Sequence, residues 1–374
     1  MNGGGGRTRH ADWPDVAKGI GIVLMFYGHV LASLPQVDAG LAVGADINEM
    51  RFIYSFHMPL FFMMAGFFYR PAPDFAARVR VLASRRLVPV LFFGLLLLPL
   101  WLIGPLRHGL PVWTALEPMF EDYLRGKPGL NWVTWFLVCL FVCECMALVV
   151  LPKLQSTAAR FIGGVAAIWV GVVLCNHLDL VARLFGVEQH TWFVYEAVVA
   201  LGFYMVGQAL YPVFQRLAGR PVVAWCVAAL GLALAIASYR LNPLGPHETV
   251  MMSANRQGEP LAFMVSALSG SFGVIALAMA LRRSRGLAAL GRQSMVMLGL
   301  SGFFFHFVNP HLVQWWQPPE SALALTLYVL TITVASLAVS EPPARLLMRW
   351  VPQWLGQPAA APVRASALTP PQAP

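Results

Sequence analysis

Asp15-Val-Ala-Lys18-Gly19-Ile-Gly21-Ile-Val-Leu-Met-Phe-Tyr-Gly28-His29-Val-Leu-Ala-Ser-Leu34 is the stretch whose reading decides the fold. Residues 16–34 are apolar enough, and at about 1.5 Å per residue long enough, to cross a bilayer as a helix. Yet the run holds a lysine near one end and a histidine past its middle. Ionisable groups inside a membrane are costly and rare, so they mark a working site. A second run follows at once, Phe52-Ile-Tyr54-Ser55-Phe56-His57-Met58-Pro59-Leu-Phe-Phe, closing on Ala65-Gly66-Phe67. Two adjacent greasy helices, each with a histidine, point to an enzyme embedded in a membrane.

Composition agrees. Of 374 residues, 58% are hydrophobic and only 11% charged, against about 25% charged in a soluble domain. Mean hydropathy is +0.65. The net charge of +9 is spread over short loops rather than gathered into a patch, which excludes a nucleic-acid partner and makes the charges orientation signals. The five cysteines lie in or beside apolar runs and read as small packing residues, with no disulfide or metal spacing.

A scan for apolar runs of about 20 residues predicts ten spans: 16–34, 52–69, 87–105, 132–151, 161–178, 192–213, 221–239, 261–281, 293–310 and 322–340. The fold expected is all-α, a polytopic integral membrane protein built as a single bundle. Alternating the loops places nineteen of the 26 Lys and Arg on one side, so the positive-inside rule puts both termini in the cytoplasm. Residues 1–11 read as a disordered cytoplasmic start, 12–341 as the bundle, and 355–374 as a disordered Pro/Ala-rich tail.

Depth along the helices groups the polar residues. His29 and His57 each fall five residues from the outer end of their span, about 7–8 Å below the outer surface, on consecutive helices that should pack together. Glu196, His306 and Asn309 come at similar depth. Lys18 and Asp15 are about 16 and 21 Å from His29 along the axis, at the cytoplasmic end. Histidine is the natural general base for a hydroxyl near neutral pH, and a carboxylate such as Glu196 or Asp15 is the usual group to orient it. Glu144, deeper in its span, reads as a partner for a polar group there. Arg78, Arg80, Arg85 and Arg86 form a basic cluster ahead of the third span, suited to orientation or to phosphate, with Arg85 and Arg86 best placed for a donor. Trp132 and Trp135 open the fourth span, where aromatic rings mark the interface and also stack on sugars. The loop histidines, His190 among them, carry no expected role. No nucleophile elbow, phosphate loop, zinc motif or dinucleotide fingerprint is present.

Together these motifs resemble membrane acyltransferase family 3, the bacterial inner-membrane enzymes that O-acetylate surface and secreted glycans. The similarity is greatest to the fucose 4-O-acetylase-like branch, which includes exopolysaccharide and O-antigen acetyltransferases. Asp15-Val-Ala-Lys18-Gly19 with Gly28-His29 looks like the first-helix signature and Tyr54-Ser-Phe-His57-Met-Pro59 like the second. Arg85-Arg86-Leu-Val-Pro89, Trp135-Phe-Leu and Leu290-Gly-Arg-Gln-Ser294 with His306 match later landmarks in order. Lys18 stands where many members carry arginine, which keeps the charge and loses the bidentate fork.

The resemblance implies an O-acetyltransferase in the bacterial inner membrane. Its co-substrate would be cytosolic acetyl-CoA, with no permanently bound cofactor and no metal. The acceptor would be a glycan or lipid-linked oligosaccharide hydroxyl, and other polysaccharide-assembly proteins would be neighbours. His29 would be the base or acyl carrier, helped by His57, Asp15 or Glu196. Lys18, Arg85 and Arg86 would hold the donor; Trp132, Trp135, His306 and Asn309 would meet the acceptor. A transporter or flippase for a lipid-linked sugar is the rival reading, and a non-catalytic membrane partner a third.

Overall fold

The computed structural model describes residues 13–34, 45–245 and 248–357, and those residues form an all-helical bundle with no β-strand. The start at 1–11 and the tail from 358 onward lie outside the described residues. Fourteen α-helices follow in order: α1 (Trp13–Ser33), α2 (Ala45–Gly66), α3 (Phe75–Arg107), α4 (Val112–Leu124), α5 (Trp135–Val150), α6 (Thr157–Asn176), α7 (Leu178–Phe185), α8 (Val194–Ala218), α9 (Pro221–Ser238), α10 (Pro260–Ala280), α11 (Arg285–Arg292), α12 (Ser294–Phe303), α13 (Asn309–Trp315) and α14 (Ala322–Trp350).

Among the described residues, nine segments are long and apolar enough to cross a membrane. The helix missing from that set is α2, which coincides with the expected span 52–69. It is 22 residues long but diluted by Glu49, Arg51, Ser55 and His57. Its neighbours explain the composition: α2 packs on α1, α8 and α10, so its faces meet protein rather than lipid. A helix enclosed in this way can carry polar groups that a lipid-facing helix cannot. The same division separates inner from outer helices. About two thirds of the apolar window is buried in α8 (67%), α1 (61%) and α10 (61%), against 28% in α3, α6 and α9. Large apolar side chains such as Leu95, Ile162 and Leu230 are exposed on that outer set.

Close helix contacts are made through glycine. A Cβ at Gly19 would collide with the backbone carbonyl of Leu287, and one at Gly291 with that of Asp15, so α1 and α11 touch backbone to backbone at both ends of their contact. This assigns a packing role to the glycines flanking Lys18 and Arg292.

Two of the departures from the expected spans bear on the polar clusters. Expected to cross over 87–105, α3 runs from Phe75, capped by Asp74 whose side chain accepts from the Ala77 amide at 2.9 Å. The basic cluster therefore rides on a helix. The expected span 293–310 is broken into α12, a π-helical turn Phe304–Val308, and α13. Pro310 follows that turn and has no N–H with which to close an α-helical bond to His306.

Candidate active site

The C-terminal half of α1 and the middle of α2 bring their histidines to one cavity. Its walls include Met25, His29, Tyr54, His57, Met58, Trp132, Trp135, Leu298 and Phe305, with Val250–Ser253 from the α9–α10 connection, around about 110 Å³. The His57 Nδ1–H donates to the Ile53 carbonyl at 3.0 Å, one turn back on α2. That fixes the tautomer and leaves Nε2 as the lone-pair nitrogen. His29 Nδ1 is buried with no hydrogen-bond partner among the described residues, and the ring packs against Phe305 at 5.0 Å. Tyr54 joins the two histidine helices: its ring meets His57 at 4.7 Å and its hydroxyl donates to the Gly28 carbonyl at 3.3 Å. Gly28 is small for this reason, since a Cβ there would lie 2.7 Å from Tyr54 Cε2.

A second cavity, of about 220 Å³, opens towards the basic end of the bundle. Lys18, Ile22, Met25, Met58, Phe61, Phe68, Arg86, Phe136, Ser294 and Leu298 line it. Met25, Met58 and Leu298 line both cavities, so these three side chains form the neck that separates the two spaces.

The residues expected to help the histidines are distributed differently. Asp15 pairs with Lys18 at 2.6 Å and stays at the far end of α1 from His29. Glu196 is fully buried, but its Oε1 takes the His190 Nδ1–H at 3.0 Å and the Asn255 side-chain amide at 2.8 Å. It anchors two loops instead of orienting His29 or His57. Arg86 lines the basic cavity, but its guanidinium is held bidentately by Glu144 at 2.8 and 2.9 Å. Adjacent on the helix, Arg85 lines a different hollow, with Arg80, Ser84 and Gly356. Trp132 and Trp135 do line the histidine cavity. His306 lies behind one of them, its Nε2 accepting from the Trp132 amide at 3.2 Å. Asn309 is buried at the start of α13 and lines neither cavity.

Sequence reasoning passed over His190 and Asn255. His190 carries a positive φ of 63°, sits edge-on to Trp132 at 5.8 Å and is fixed by Glu196. Asn255, at φ 55°, ties the segment that contributes Val250–Ser253 to the cavity wall. The buried carboxylate was the available signal, because a charge inside a bundle requires partners.

This geometry combines a lone-pair imidazole, an unpartnered imidazole nitrogen, an apolar shelter and a basic opening. A family model for the acyltransferase domain matches residues 11–340. The chain belongs to acyltransferase family 3. The match spans nearly the whole chain and takes in both cavities, so the acyltransferase domain and the helical bundle are one unit, a multi-pass membrane protein. No curated protein and no solved structure matches the chain.

Proposed function

We propose that this acyltransferase moves an acetyl group from cytosolic acetyl-CoA to a sugar hydroxyl of a bacterial surface glycan, exopolysaccharide or lipid-linked precursor. In this reading ten helices cross the inner membrane, α2 included, and both termini face the cytoplasm. The observation that carries it is the neck shared by two cavities. In this reading a donor enters at the basic opening beside Lys18 and Arg86, and its pantetheine arm reaches the histidines by displacing the neck side chains. Eleven residues of α1, about 16 Å, separate Lys18 from His29.

His29 takes the proton of the acceptor hydroxyl as the oxygen attacks the thioester carbonyl. The C–S bond breaks, and the imidazolium returns the proton to the departing thiolate, leaving an ester and free CoA. His57 holds the hydroxyl through its lone-pair nitrogen, and Trp132 and Trp135 form the wall against which a sugar ring packs. Branch membership, the acetyl donor and the glycan acceptor are parts of this proposal, as is the company of polysaccharide-assembly proteins.

The test supplies labelled acetyl-CoA and a glycan-rich acceptor fraction to membranes carrying wild type or His29→Ala. Removing the base should lower transfer by about 10²–10⁴-fold with insertion unchanged. Equal transfer by both proteins would keep the class and move the base to His57. No transfer by wild type would favour a transporter for a lipid-linked sugar.

A further inference from the structure

The hollow beside Arg85 shares no residue with the two cavities of the proposed reaction. It holds about 250 Å³ and is bounded by Arg80, Val81, Ser84 and Arg85 of α3 and by Gly356 and Gln357, which follow α14. The turn that closes it is pressed onto α3. Leu355 is buried, and a Cβ at Gly356 would lie 2.4 Å from the Arg85 carbonyl oxygen. Neither arginine has an ion-pair or hydrogen-bond partner among the described residues, and the walls of the hollow include no carboxylate. Residues 358–374 contain no Asp or Glu to supply one. Two cations, a serine and a glutamine thus border one space that lacks a counter-charge.

A second space opens further along the same helix. Leu96, Leu97 and Leu100 of α3, Leu300 and Phe303 of α12 and Val339 of α14 border a groove of about 410 Å³. Its one hydroxyl, on Ser340, is spent on the Ser336 carbonyl at 2.7 Å. Helix α12 packs on both α3 and α14 and floors the groove, while Leu96, Phe303 and Val339 are exposed at its mouth. Val81, Arg85, Phe92, Leu96 and Pro99 follow at intervals of four, seven, four and three residues, which is one face of a helix. Hollow and groove are therefore two ends of one stripe. Between them Phe92 meets the half-exposed ring of Trp354 at 6.4 Å, an aromatic pair of the kind that settles at a membrane interface.

We propose that this seam binds one anionic glycerophospholipid from the leaflet at the basic end of the bundle, its phosphate in the hollow and an acyl chain in the groove. Arg85 stands just ahead of the apolar run that begins at Leu87, which is headgroup level. Leu96 and Leu100 come about 16 and 22 Å further along α3. One leaflet of hydrocarbon is about 15 Å deep, so an acyl chain hung from a phosphate at Arg85 spans the groove. Guanidiniums give phosphate oxygens charge-assisted bonds, and basic side chains beside a membrane attract anionic lipid. A free nucleotide phosphate could use the hollow alone; the alignment of hollow and groove on one helix face favours the lipid. The site does not depend on the identity of the acyl donor.

The experiment takes the intact protein, delipidated in neutral detergent, and compares retention of dioleoyl phosphatidylglycerol and dioleoyl phosphatidylcholine by native mass spectrometry. Wild type should hold one phosphatidylglycerol at least about tenfold more tightly than phosphatidylcholine. Arg80→Gln combined with Arg85→Gln should remove that preference. Ser84→Glu, a single exposed change that places a carboxylate in the hollow, should do the same and serves if the double variant fails to fold. Val339→Trp fills the groove and should weaken phosphatidylglycerol with the arginines intact. Equal retention of the two lipids by wild type would overturn the proposal. So would undiminished phosphatidylglycerol in the hollow variants, or in Val339→Trp. A parallel arm measures CoA binding: loss of CoA in the arginine variant with phosphatidylglycerol retained would give the hollow to a nucleotide phosphate and overturn the lipid.

Discussion

At the scale of single residues, the decisive geometry is set by what lies beside each histidine. Tyr54 can rest on His57 only because Gly28 leaves room for its ring. In Gly28→Ala the new methyl must displace that ring and disturb both histidines. We expect acetyl transfer to fall roughly 10²-fold with normal insertion, since displacements near 1 Å at a reacting centre have effects of that size. Transfer at the wild-type rate would show that Tyr54 has no bearing on the chemistry. Arg86 gives a prediction on stability. Its partner Glu144 is largely buried, so Glu144→Gln strands a cation inside the bundle. Losing one member of a buried pair costs about 3 kcal/mol. The thermal midpoint in detergent should drop, and drop less when Arg86→Met is added. His29 and His57 were legible in sequence because a polar residue in an apolar run stands out. The Glu196–His190–Asn255 group was not, because its members come from α8 and two loops and carry no local pattern.

Single helices show where sequence reading of boundaries succeeds and where it stops. Hydrophobic length located the membrane portions because a bilayer demands a fixed apolar thickness. It said nothing about where a helix goes after leaving lipid. Thus α3 starts at Phe75 and α14 runs on to Trp350 through Pro342 and Pro343, both beyond their apolar runs. It was equally silent on the π-turn at Phe304–Val308, which follows from one missing amide at Pro310. That turn sets the direction of His306 and so supports the Trp132 amide. Pro310→Ala restores the amide and lets the turn tighten towards an α-helix. Circular dichroism should be unchanged while transfer falls several-fold. If transfer is unaltered, the π-turn is not what holds Trp132 in place.

For the whole molecule, α2 sets the parity of the architecture. If α2 crosses, the number of spans is even and the chain returns to the side from which it began. Three spans separate position 219, between α8 and α9, from position 317, between α13 and α14, so cysteines there report opposite faces, and with a cytoplasmic N-terminus the crossing of α2 puts 317 outside. In a Cys226→Ser background, which removes the one exposed native thiol among the described residues, a membrane-impermeant maleimide should label Gln317→Cys in intact cells. Gly219→Cys should label only after the membrane is opened. The reverse pattern at both positions, with the N-terminus in the cytoplasm, would mean that α2 stays on one side. Such parity is invisible to hydropathy alone, because an enclosed helix is freed from the requirement to be greasy.

The neck of Met25, Met58 and Leu298 carries one more consequence. An energised membrane is a charged capacitor, and any continuous column of water through it is a short circuit for protons. On the proposed reading, in which the donor and acceptor come from opposite faces, the enzyme must be open to a slender chain and closed to water. Two methionines and a leucine offer no hydrogen bonds to support a water file, and the unbranched thioether side chains can yield to a chain and spring back. On the proposed reading the bottleneck is an electrical gasket as well as a passage. Replacing Met25 and Met58 together by alanine should let proteoliposomes lose an imposed pH gradient faster than wild type.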